Sequence, residues 1–347
     1  MEKKSIGLFM LKAFLTWLIP MSLLIGVYVV FDPMLTLRWH EDMIPGGFLP
    51  NKGNVTVKQF DHYYPEKHYD SFIVGSSITI NHWIEDWLEY IPEDSSPFHF
   101  DGSTLTIKKT AEFVDYIVEN SDVKRILIIL PPSVLHWEES DYLPFMIPSE
   151  LKTTLSEKLN FQWEFFKSFY TWNYLQGYLI HNLFGAKATA NSVFKISDDI
   201  VWYDPIINEE RALIKDAKLE KEREQFIKDN PEWESLADNK EIKIFKPLMN
   251  EDLRDDFIKM RDKMDGKGVD YLIVVTPRSN REILGPSDDA ELYEIYGKRY
   301  INLDYEQIKH SIIPYNWYDA THYRHNVGSE LMKRIYETRD NHSNSGL

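Results

Sequence analysis

Short, continuous apolar runs recur along the chain, and stretches with apolar residues at helical spacing separate them. Continuous apolar runs of this length are typical of strands buried on both faces, and the intervening helices allow neighbouring strands to run parallel. The pattern therefore predicts an α/β fold, a three-layer sandwich built around a parallel sheet. The runs that predict strands are residues 71–75, 97–100, 125–133, 270–278 and 299–304.

Helical spacing is clearest in three segments. Residues 104–119 carry apolar side chains at intervals of three and four. Residues 250–268 form a second such segment, and residues 326–340 predict a closing helix with Asn326 as its N-cap. By contrast, the scattered prolines and glycines of residues 32–69 predict an irregular approach to the sheet.

The alternation of strands and helices is interrupted at about residues 134–250. This segment is first rich in aromatic residues and then rich in charge, and it predicts a mainly helical insertion within one extracytoplasmic domain of residues 35–347. The charged run 213–228 predicts a single solvated amphipathic helix. The aromatic run 161–184 fits either core packing or a docking or substrate surface.

The N-terminus carries the clearest membrane signal. Residues 13–31 contain no charged side chain, and this length is sufficient to cross a hydrocarbon core of roughly 30 Å. Lys3, Lys4 and Lys12 precede the run, so the positive-inside rule places the N-terminus in the cytoplasm and the rest of the chain outside. We therefore predict a cytoplasmic tip and transmembrane anchor over residues 1–34. A cleaved signal peptide is the competing interpretation, although the run is long for one and no small-residue cleavage site follows it.

Composition narrows the range of functions. The chain has 347 residues and a net charge of −16, and this acidic balance argues against a nucleic-acid partner, which requires a basic surface. Cysteine is absent, so a disulfide framework, a thiolate metal site and a cysteine nucleophile are excluded. No cofactor and no metal are predicted from the motifs that remain.

Candidate chemistry lies where strands end. In open α/β sheets, ligands bind at the carboxyl ends of the strands, and Gly75-Ser76-Ser77 directly follows the first apolar run. Asp319 and His322 precede the closing helix. A serine hydroxyl is a weak nucleophile that needs a base to accept its proton, and the base needs an anion to fix its tautomer. A strand-end serine with a C-terminal Asp-x-x-His supplies all three groups.

Together, these two blocks resemble the SGNH (GDSL-type) hydrolase superfamily. Residues 318–335 look like the ending of its membrane-anchored bacterial branch, which includes the D-alanyl transfer protein of teichoic acid and polysaccharide O-acetylation proteins. The resemblance implies a flavodoxin-like SGNH fold, with Ser77 as nucleophile, His322 as general base and Asp319 as the carboxylate that orients it. It also implies an oxyanion hole formed by the backbone N–H groups of Ser77 and Gly102, assisted by the N-terminus of a helix after the nucleophile.

The chain departs from the superfamily pattern in one block. In the superfamily, a third sequence block at the end of a later strand usually supplies an asparagine to the oxyanion hole. In this chain the corresponding strand is the run 125–133, and no asparagine follows it. Ser133 and Asn280 are the candidate replacements for that donor. The resemblance also leaves the insertion at about 134–250 unexplained.

Several neighbouring residues allow alternative roles. Ser76 is the rival nucleophile. His325 follows His322 at a spacing that suits a metal pair, although no clustered carboxylates or third ligand accompany it. Thr321 is expected to serve as a local turn hydroxyl. Three further polar residues fit either substrate binding or structural roles: His82, His136 and Arg278.

The expected function is a membrane-anchored, extracytoplasmic serine acyltransferase or esterase that acts on a cell-surface polysaccharide or envelope polymer, with O-acetyl transfer as the favoured reaction. Its expected partners are an acyl donor, an envelope glycan acceptor and, as the resemblance implies, a membrane-bound O-acyltransferase of the bacterial cytoplasmic membrane. The alternative is a catalytically silent scaffold of the same fold that binds a polymer or that acyltransferase. A lipid-directed esterase, with the aromatic insertion as its interfacial surface, is the third hypothesis.

Overall fold

A five-stranded parallel sheet forms the centre of the protein. The computed structural model describes residues 2–40, 51–138, 143, 146–184, 202–229, 241–303, 314–319 and 321–344. Within them, the strands are β1 (Ser71–Gly75), β2 (Pro97–Asp101), β3 (Arg125–Leu130), β4 (Trp202–Asp204), β5 (Glu209–Arg211), β6 (Lys243–Ile244), β7 (Asp270–Val275), β8 (Glu282–Ile283) and β9 (Tyr300–Asn302). The α-helices are α1 (Glu2–Phe31), α2 (Lys52–Lys67), α3 (Ile84–Trp87), α4 (Ile107–Asn120), α5 (Leu155–Phe169), α6 (Trp172–Phe184), α7 (Leu213–Lys221), α8 (Arg223–Asp229), α9 (Glu251–Gly266), α10 (Pro286–Tyr296) and α11 (His325–Asn344).

The central sheet has the strand order β2-β1-β3-β7-β9, and every neighbouring pair is parallel. The α/β class and the parallel sheet predicted from the apolar runs are therefore confirmed. The direction of strand addition reverses at β1, because the chain first places β2 on one side of β1 and then places β3 on the other. In sheets of this type, ligands bind in the crevice at the carboxyl ends of the strands beside such a reversal.

Alternate strand residues pack on opposite faces of the sheet. Phe72 and Val74 lie with buried side chains of α2, α4, α9 and α10, while Ile73 lies with those of α3 and α11. Helices therefore cover both faces, which explains why the strands read as continuous apolar runs rather than as alternating ones. All three side chains are fully buried.

Helix α2 corrects the expectation of an irregular segment over residues 32–69. Asn51 caps the helix by accepting a hydrogen bond from a backbone N–H of the first turn at 2.8 Å. Phe60, on its inner face, is buried against the sheet. Pro65 and several β-branched residues weaken the helical pattern in the sequence, and packing against the sheet overrides that weak propensity. Residues 41–50 of the predicted segment lie outside the described residues.

Two further helix predictions are wrong in detail. Helix α11 begins at His325, so Asn326 lies inside the helix rather than at its cap, and its side chain donates to the Asn316 side chain at 2.8 Å. The charged run 213–228 forms two helices, α7 and α8, which separate at Glu222. Helical spacing identifies a helical segment better than it locates the ends, because contacts elsewhere in the fold decide where a helix stops.

The segment inserted between β3 and α9 covers one edge of the sheet. Strands β4 and β5 pair antiparallel, and the turn between them lies against the edge strand β2. The His99 N–H donates to the Ile207 carbonyl at 2.9 Å, and the Asn208 side chain donates to the His99 carbonyl at 2.7 Å. These bonds satisfy backbone groups that a bare edge strand would leave open to pairing with another chain.

The burial of His99 gives a pH-dependent stability. Burial lowers the pKa of His99 from 6.5 to about 3, and the charge of Lys52 acts in the same direction. The unfolded chain therefore binds a proton at His99 below pH 6.5, whereas the folded protein does not bind it until about pH 3. The contribution of neutral His99 to the free energy of unfolding is therefore complete above pH 6.5 and is lost as the pH falls. We expect the wild type to lose about 2 kcal/mol relative to a His99→Gln variant between pH 7 and pH 5.

Urea unfolding of the detergent-solubilised full-length chain at the two pH values measures this difference. His136 is exposed, so His136→Gln is the control for the substitution itself and is expected to keep the pH profile of the wild type. Equal pH profiles for the wild type and His99→Gln would contradict the assignment of the proton uptake to His99.

Helix α1 has the length and composition of a membrane span. Among the described residues, Ile6–Phe31 is the one helix segment long and apolar enough to cross a membrane. It contains the predicted span 13–31. Pro20 lies inside the helix without interrupting it, as is common in helices that cross a bilayer.

The chain after α1 folds back on the end of the helix. The buried Asp32 carboxylate accepts the backbone N–H groups of residues 36–38 at 2.9 to 3.1 Å. The Arg38 guanidinium donates to the Val30 carbonyl, one of the last acceptors of the helix, at 2.6 Å. Fixed contacts, rather than an extended linker, therefore join α1 to the following segment.

Candidate active site

Strand β1 ends in the serine pair predicted to carry the nucleophile. A Cβ atom on Gly75 would lie 2.5 Å from the Ile129 carbonyl oxygen of β3 and 2.7 Å from the Thr79 side chain, so the close approach of the two strands requires glycine. Ser76 is buried, and its hydroxyl has no hydrogen-bond partner among the described residues. Ser77 is half-buried and begins a short 3-10 turn that runs to residue 81.

The Asp-x-x-His block forms a tight loop before α11. An antiparallel bridge joins Trp317 to Tyr323 across the base of the loop. The Tyr318 N–H donates to the His322 carbonyl at 2.8 Å. The rings of Trp317 and Tyr323 also meet edge to face at 5.4 Å, and both side chains are buried. The loop therefore stands on an apolar base, with its polar residues at the tip.

Asp319 organises the tip of this loop. One of its carboxylate oxygens, Oδ1, accepts the Thr321 N–H at 2.8 Å, the Thr321 hydroxyl at 2.7 Å and the His322 N–H at 2.9 Å. The prediction that Thr321 provides a local turn hydroxyl is confirmed. Because Oδ1 holds the backbone, the other oxygen of Asp319 is left for the imidazole.

The structure brings the three predicted catalytic residues into one hydrogen-bonded chain. Ser77 Oγ lies 2.8 Å from His322 Nε2, and His322 Nδ1 lies 2.7 Å from Asp319 Oδ2. A carboxylate at Nδ1 keeps the ring proton there and leaves Nε2 to accept the proton of the serine hydroxyl. Of the two candidate serines, Ser77 contacts the imidazole, whereas the hydroxyl of Ser76 has no partner in the part of the chain that the structure describes.

The surroundings of Asp319 fix its charge. Burial raises the pKa of this carboxyl, but the hydrogen bond and charge of His322 and the hydrogen bonds of Thr321 outweigh burial and hold the pKa well below 3.8. The carboxylate is therefore ionised throughout the pH range in which a histidine ordinarily changes its charge. Half of the Asp319 side chain and a third of the His322 side chain are exposed to solvent, so the dyad is open to a ligand.

Two contacts hold the turn after β1 against the histidine loop. A Cβ atom on Gly328, in the first turn of α11, would lie 1.9 Å from the Asn81 carbonyl oxygen at the end of the turn. His82 Nε2 lies 2.6 Å from the Tyr323 hydroxyl, and both of these side chains are buried. The segments that carry the candidate nucleophile and the candidate base are therefore packed directly together.

Helix α7 restrains the same loop from the insertion. The buried Arg324 guanidinium donates to Asp216 at 2.6 Å and to Glu220 at 2.8 Å. The Tyr318 hydroxyl also donates to Asp216, at 2.7 Å. Because Tyr318 and Arg324 flank the Asp-x-x-His block on its two sides, α7 holds both ends of the loop.

The two backbone N–H groups predicted to form an oxyanion hole differ in their surroundings. Ser77 is the first residue of its 3-10 turn, so its N–H has no acceptor within that turn. The Gly102 N–H donates to the Gly75 carbonyl oxygen at 3.2 Å and thereby continues the β1–β2 ladder past its last pair. The prediction that Gly102 offers a free donor is therefore wrong for this conformation. The predicted helix after Ser77 is a 3-10 turn of 5 residues, so its dipole contributes little.

The two candidate replacements for the missing asparagine differ in their surroundings. Ser133 lies in a 3-10 turn directly after β3, the strand next to β1, and its buried hydroxyl has no hydrogen-bond partner within the described ranges. The Asn280 side-chain oxygen accepts the Glu282 N–H at 3.2 Å. The Ser133 hydroxyl therefore remains available as a hydrogen-bond donor at the end of β3, next to β1. The Asn280 side chain instead stabilises a local turn.

His325 is engaged away from His322. Its Nε2 lies 2.8 Å from an Asp86 carboxylate oxygen, and its ring stacks on Trp83 at 3.3 Å between centroids. Within the described ranges, no group of three or more His, Cys, Asp or Glu side chains is arranged to hold a metal ion. His325 is the first residue of α11, and its side chain contacts Asp86 and Trp83 rather than His322.

The other polar residues singled out in the sequence contact protein groups. Burial lowers the pKa of His82 to about 3 and keeps its imidazole neutral. The contact pairs are His82 with Tyr323, Arg278 with Glu282, and His136 with Phe245. These contacts favour structural roles for His82 and Arg278, whereas His136 keeps an exposed ring.

Comparisons with known proteins give no family assignment. No protein-family model matches the chain, and no curated protein sequence matches it. The geometry around Ser77 and the membrane-spanning character of α1 are therefore the observations that bear on function.

Proposed function

We propose that the protein is a membrane-anchored, extracytoplasmic serine acyltransferase or esterase that acts on a cell-surface polysaccharide or envelope polymer, with O-acetyl transfer as its reaction. The observation that carries the proposal is the hydrogen-bonded chain from Ser77 through His322 to Asp319. A serine hydroxyl in contact with an imidazole that a carboxylate orients is the arrangement that activates serine for attack on a carbonyl carbon.

The proposed reaction has two steps that use one proton path. Ser77 Oγ attacks the carbonyl carbon of the acyl donor while its proton passes to His322 Nε2, and the leaving-group oxygen takes that proton as its bond to the acyl carbon breaks. A sugar hydroxyl, or water in hydrolysis, then attacks the acyl ester on Ser77 and gives its proton to Nε2, which returns it to the departing Oγ. Asp319 holds the Nδ1 proton and stabilises the imidazolium in both steps.

The proposal includes an SGNH-type domain, a three-layer sandwich related to the flavodoxin-like fold. Counted along the chain, the five strands of the sheet have the order 2-1-3-4-5, which is the order of flavodoxin-like doubly wound sheets. Apolar clusters on both faces of the sheet support a helix–sheet–helix arrangement. The candidate nucleophile after the first strand and the Asp-x-x-His block before the last helix occupy the places that the resemblance expects.

The proposed location is the outer side of the bacterial cytoplasmic membrane. Three lysines precede the span and Asp32 follows it, so the positive-inside rule orients the C-terminal end of α1 outward. An acyl donor used there must be delivered at or through the membrane. This requirement supports a membrane-bound O-acyltransferase as partner and an envelope glycan as acceptor.

Asp319→Asn is expected to lower kcat for hydrolysis of an activated ester by about 10⁴-fold. The amide removes the anion that keeps the proton on His322 Nδ1, while an oxygen at the Oδ1 position still accepts the loop N–H groups. Thr321→Ala is the matched control, because it removes a hydroxyl that donates to the same carboxylate and lies 2.9 Å from His322 Nδ1 while it leaves the anion in place; it is expected to lower kcat by about tenfold or less. Steady-state kinetics in detergent measure both variants, and equal losses would assign the effect to loop integrity instead of charge.

A catalytically silent scaffold is the second candidate, and the occupied Gly102 N–H favours it. The loss of one oxyanion donor typically lowers the rate by about 10²–10³-fold, and this chain also lacks the asparagine after β3. Such a scaffold would keep the fold and bind a polymer or a membrane acyltransferase without turnover.

A bacterial deletion strain separates the two candidates. We expect the O-acetyl content of the surface glycan to fall on deletion, to recover with the wild-type chain and to stay low with Ser77→Ala expressed at the same level. Recovery with Ser77→Ala would favour the silent scaffold. Unchanged glycan acylation after deletion would contradict the proposal that the protein serves polymer acylation.

A further inference from the structure

Helix α5 runs alongside the end of α1 in the opposite direction. The contacts move toward the N-terminus of α1 as α5 proceeds toward its own C-terminus. The contact pairs, in order along α5, are Gln162 with Thr36 at 3.2 Å, the Phe166 and Tyr28 rings at 5.3 Å between centroids, and the Tyr170 hydroxyl with the Leu24 carbonyl at 2.6 Å. The junction between α5 and α6 therefore lies beside the membrane-spanning part of α1.

The depth of this junction follows from helix geometry. Leu24 precedes Phe31, at which the candidate span ends, by seven residues. At 1.5 Å per residue, the separation is about 10 Å along the helix axis. One half of the hydrocarbon core is about 15 Å thick. Tyr170 therefore reaches a carbonyl that lies well inside the outer half of the hydrocarbon core when α1 spans a bilayer.

Close packing makes this contact a fixed part of the fold. Tyr28 and Met34 form a cluster with Phe161, Phe165 and Phe169 of α5, and each of the five exposes 3% or less of its surface. The three phenylalanines recur every four residues, so they share one face of α5. We call α5 and α6 together the α5–α6 hairpin (residues 155–184), and its position is set by this cluster.

The outer face of the α5–α6 hairpin is apolar and exposed. Its large apolar side chains leave 46–72% of their surface uncovered: Leu155, Leu159, Trp163, Trp172, Leu179 and Leu183. Residues 168–186 contain no Asp, Glu, Lys or Arg. Contiguous apolar surface of this kind marks an interaction site, because water contact with it is unfavourable.

We propose that the end of the α5–α6 hairpin formed by the α5–α6 junction is embedded in the outer leaflet of the membrane beside the anchor, so that three helices rather than one contact lipid. The proposal rests on α1 spanning the membrane and is independent of the reaction at Ser77. Embedding removes the exposed apolar side chains nearest the junction, Trp172 among them, from water, whereas Leu155 at the start of α5 stays outside the hydrocarbon. Trp and Tyr side chains are favoured at the boundary between headgroups and hydrocarbon. It also fixes the orientation of the catalytic domain relative to the membrane surface.

Lipid is the occupant that the position of the hairpin favours. The exposed side chains of α1 lie at the same depth as the α5–α6 junction, so any bilayer around α1 also surrounds that junction. Glu157 and Lys158 are exposed at the other end of the hairpin, near the start of α5. The second half of α5 also carries the Glu164–Lys167 ion pair, and Lys167 precedes Tyr170 by three residues, about 4.5 Å along the helix. Its long side chain can therefore place the ammonium group among the headgroups while the following residues, which carry no charge up to residue 186, lie deeper.

Fluorescence quenching in lipid nanodiscs tests this placement with three single-cysteine variants of the full-length chain. The native chain has no cysteine, so Ile19→Cys in α1, Leu155→Cys at the start of α5 and Trp172→Cys at the start of α6 each give one labelling site. All three native side chains expose 72% of their surface, so differences in quenching report membrane depth and not burial in protein. The quencher is a phospholipid with a spin label on its acyl chain.

We expect the fluorescence of labels at 19 and 172 to fall by about half and that at 155 to change little, because only the first two sites lie at acyl-chain depth. Quenching at 19 without quenching at 172 would overturn the embedding and leave the anchor intact, and the apolar face would then be open to a protein partner. Quenching at neither site would overturn the span and the embedding together. Leu179→Cys is the second labelling position on α6 if Trp172→Cys does not fold. All of these variants keep Ser77, so a failure of the embedding and a failure of the proposed reaction can be told apart.

Discussion

Ser77→Ala is expected to lower kcat for ester hydrolysis by about 10³-fold or more while the protein remains folded. The Ser77 hydroxyl lies 2.8 Å from His322 Nε2, so alanine leaves the imidazole with no group to deprotonate. The loss of one half-buried hydrogen bond is expected to cost about 1 kcal/mol of unfolding free energy. Hydrolysis of a chromogenic acetyl ester and thermal unfolding, both measured on the full-length chain in detergent, check the two effects.

Ser76→Ala is the matched control for this substitution. It removes the neighbouring hydroxyl, which is buried and has no hydrogen-bond partner among the residues that the structure describes. Turnover is expected to stay close to that of the wild type, and stability is expected to be unchanged or slightly higher, because an unsatisfied buried group is removed. Loss of turnover in Ser76→Ala with normal turnover in Ser77→Ala would reverse the assignment of the nucleophile.

Gly328→Ala is expected to lower the unfolding free energy by about 3 kcal/mol and to lower kcat in the same protein. The added Cβ would lie 1.9 Å from the Asn81 carbonyl oxygen and 2.7 Å from the carbonyl carbon, so α11 or the turn after β1 must shift. His322 precedes α11 and Ser77 begins that turn, so the shift lengthens the distance between them. A misplacement of about 1 Å can lower a rate by about 10²-fold.

Gly266→Ala separates steric conflict from helix propensity. Gly266 is also helical, and no atom lies within 4 Å of a Cβ added there. Alanine is favoured over glycine in an open helix by up to about 1 kcal/mol, so Gly266→Ala is expected to leave Tm unchanged or to raise it. A Gly328→Ala protein with the Tm and kcat of the wild type would show that the contact with Asn81 is not close enough to link nucleophile and base.

The sheet could be predicted from the sequence because strands buried on both faces need apolar residues at every position. Each of the five apolar runs coincides with one strand of the central sheet, although β2 extends one residue past its run, to Asp101. The ends were less well defined: the run 125–133 extends past β3, which stops at Leu130. Pro131 and Pro132 cannot donate to a ladder, and they begin the 3-10 turn that carries Ser133.

The three residues of the candidate triad could be predicted because their chemistry restricts both residue type and position. A strand-end serine and an Asp-x-x-His block are rare enough in combination to be noticed. The free N–H of Gly102 was predicted wrongly, because the sequence places a glycine after β2 but does not say where its N–H points. The register between β1 and β2 decides that, and it directs the N–H to the Gly75 carbonyl.

The supports of the site could not be read from the sequence, because they join residues far apart in the chain. Arg324 reaches Asp216 across 108 residues, and both residue types are common on solvated helices. The one available signal was Gly328, an isolated glycine within a helical pattern, which often marks close packing. For the aromatic run 161–184, composition could not decide between core packing and an exposed surface. The structure shows both, with one face of the run packed on α1 and the other face exposed.

The central claim is that Ser77 is a nucleophile activated by His322. Reaction of the purified full-length chain with a fluorophosphonate, followed by mass mapping of its peptides, tests this claim most directly. We predict a single adduct on Ser77, which forms at a normal rate in Ser76→Ala, more slowly in His322→Ala and not at all in Ser77→Ala. A folded wild-type protein that forms no adduct, or that forms one on another residue, would contradict the claim.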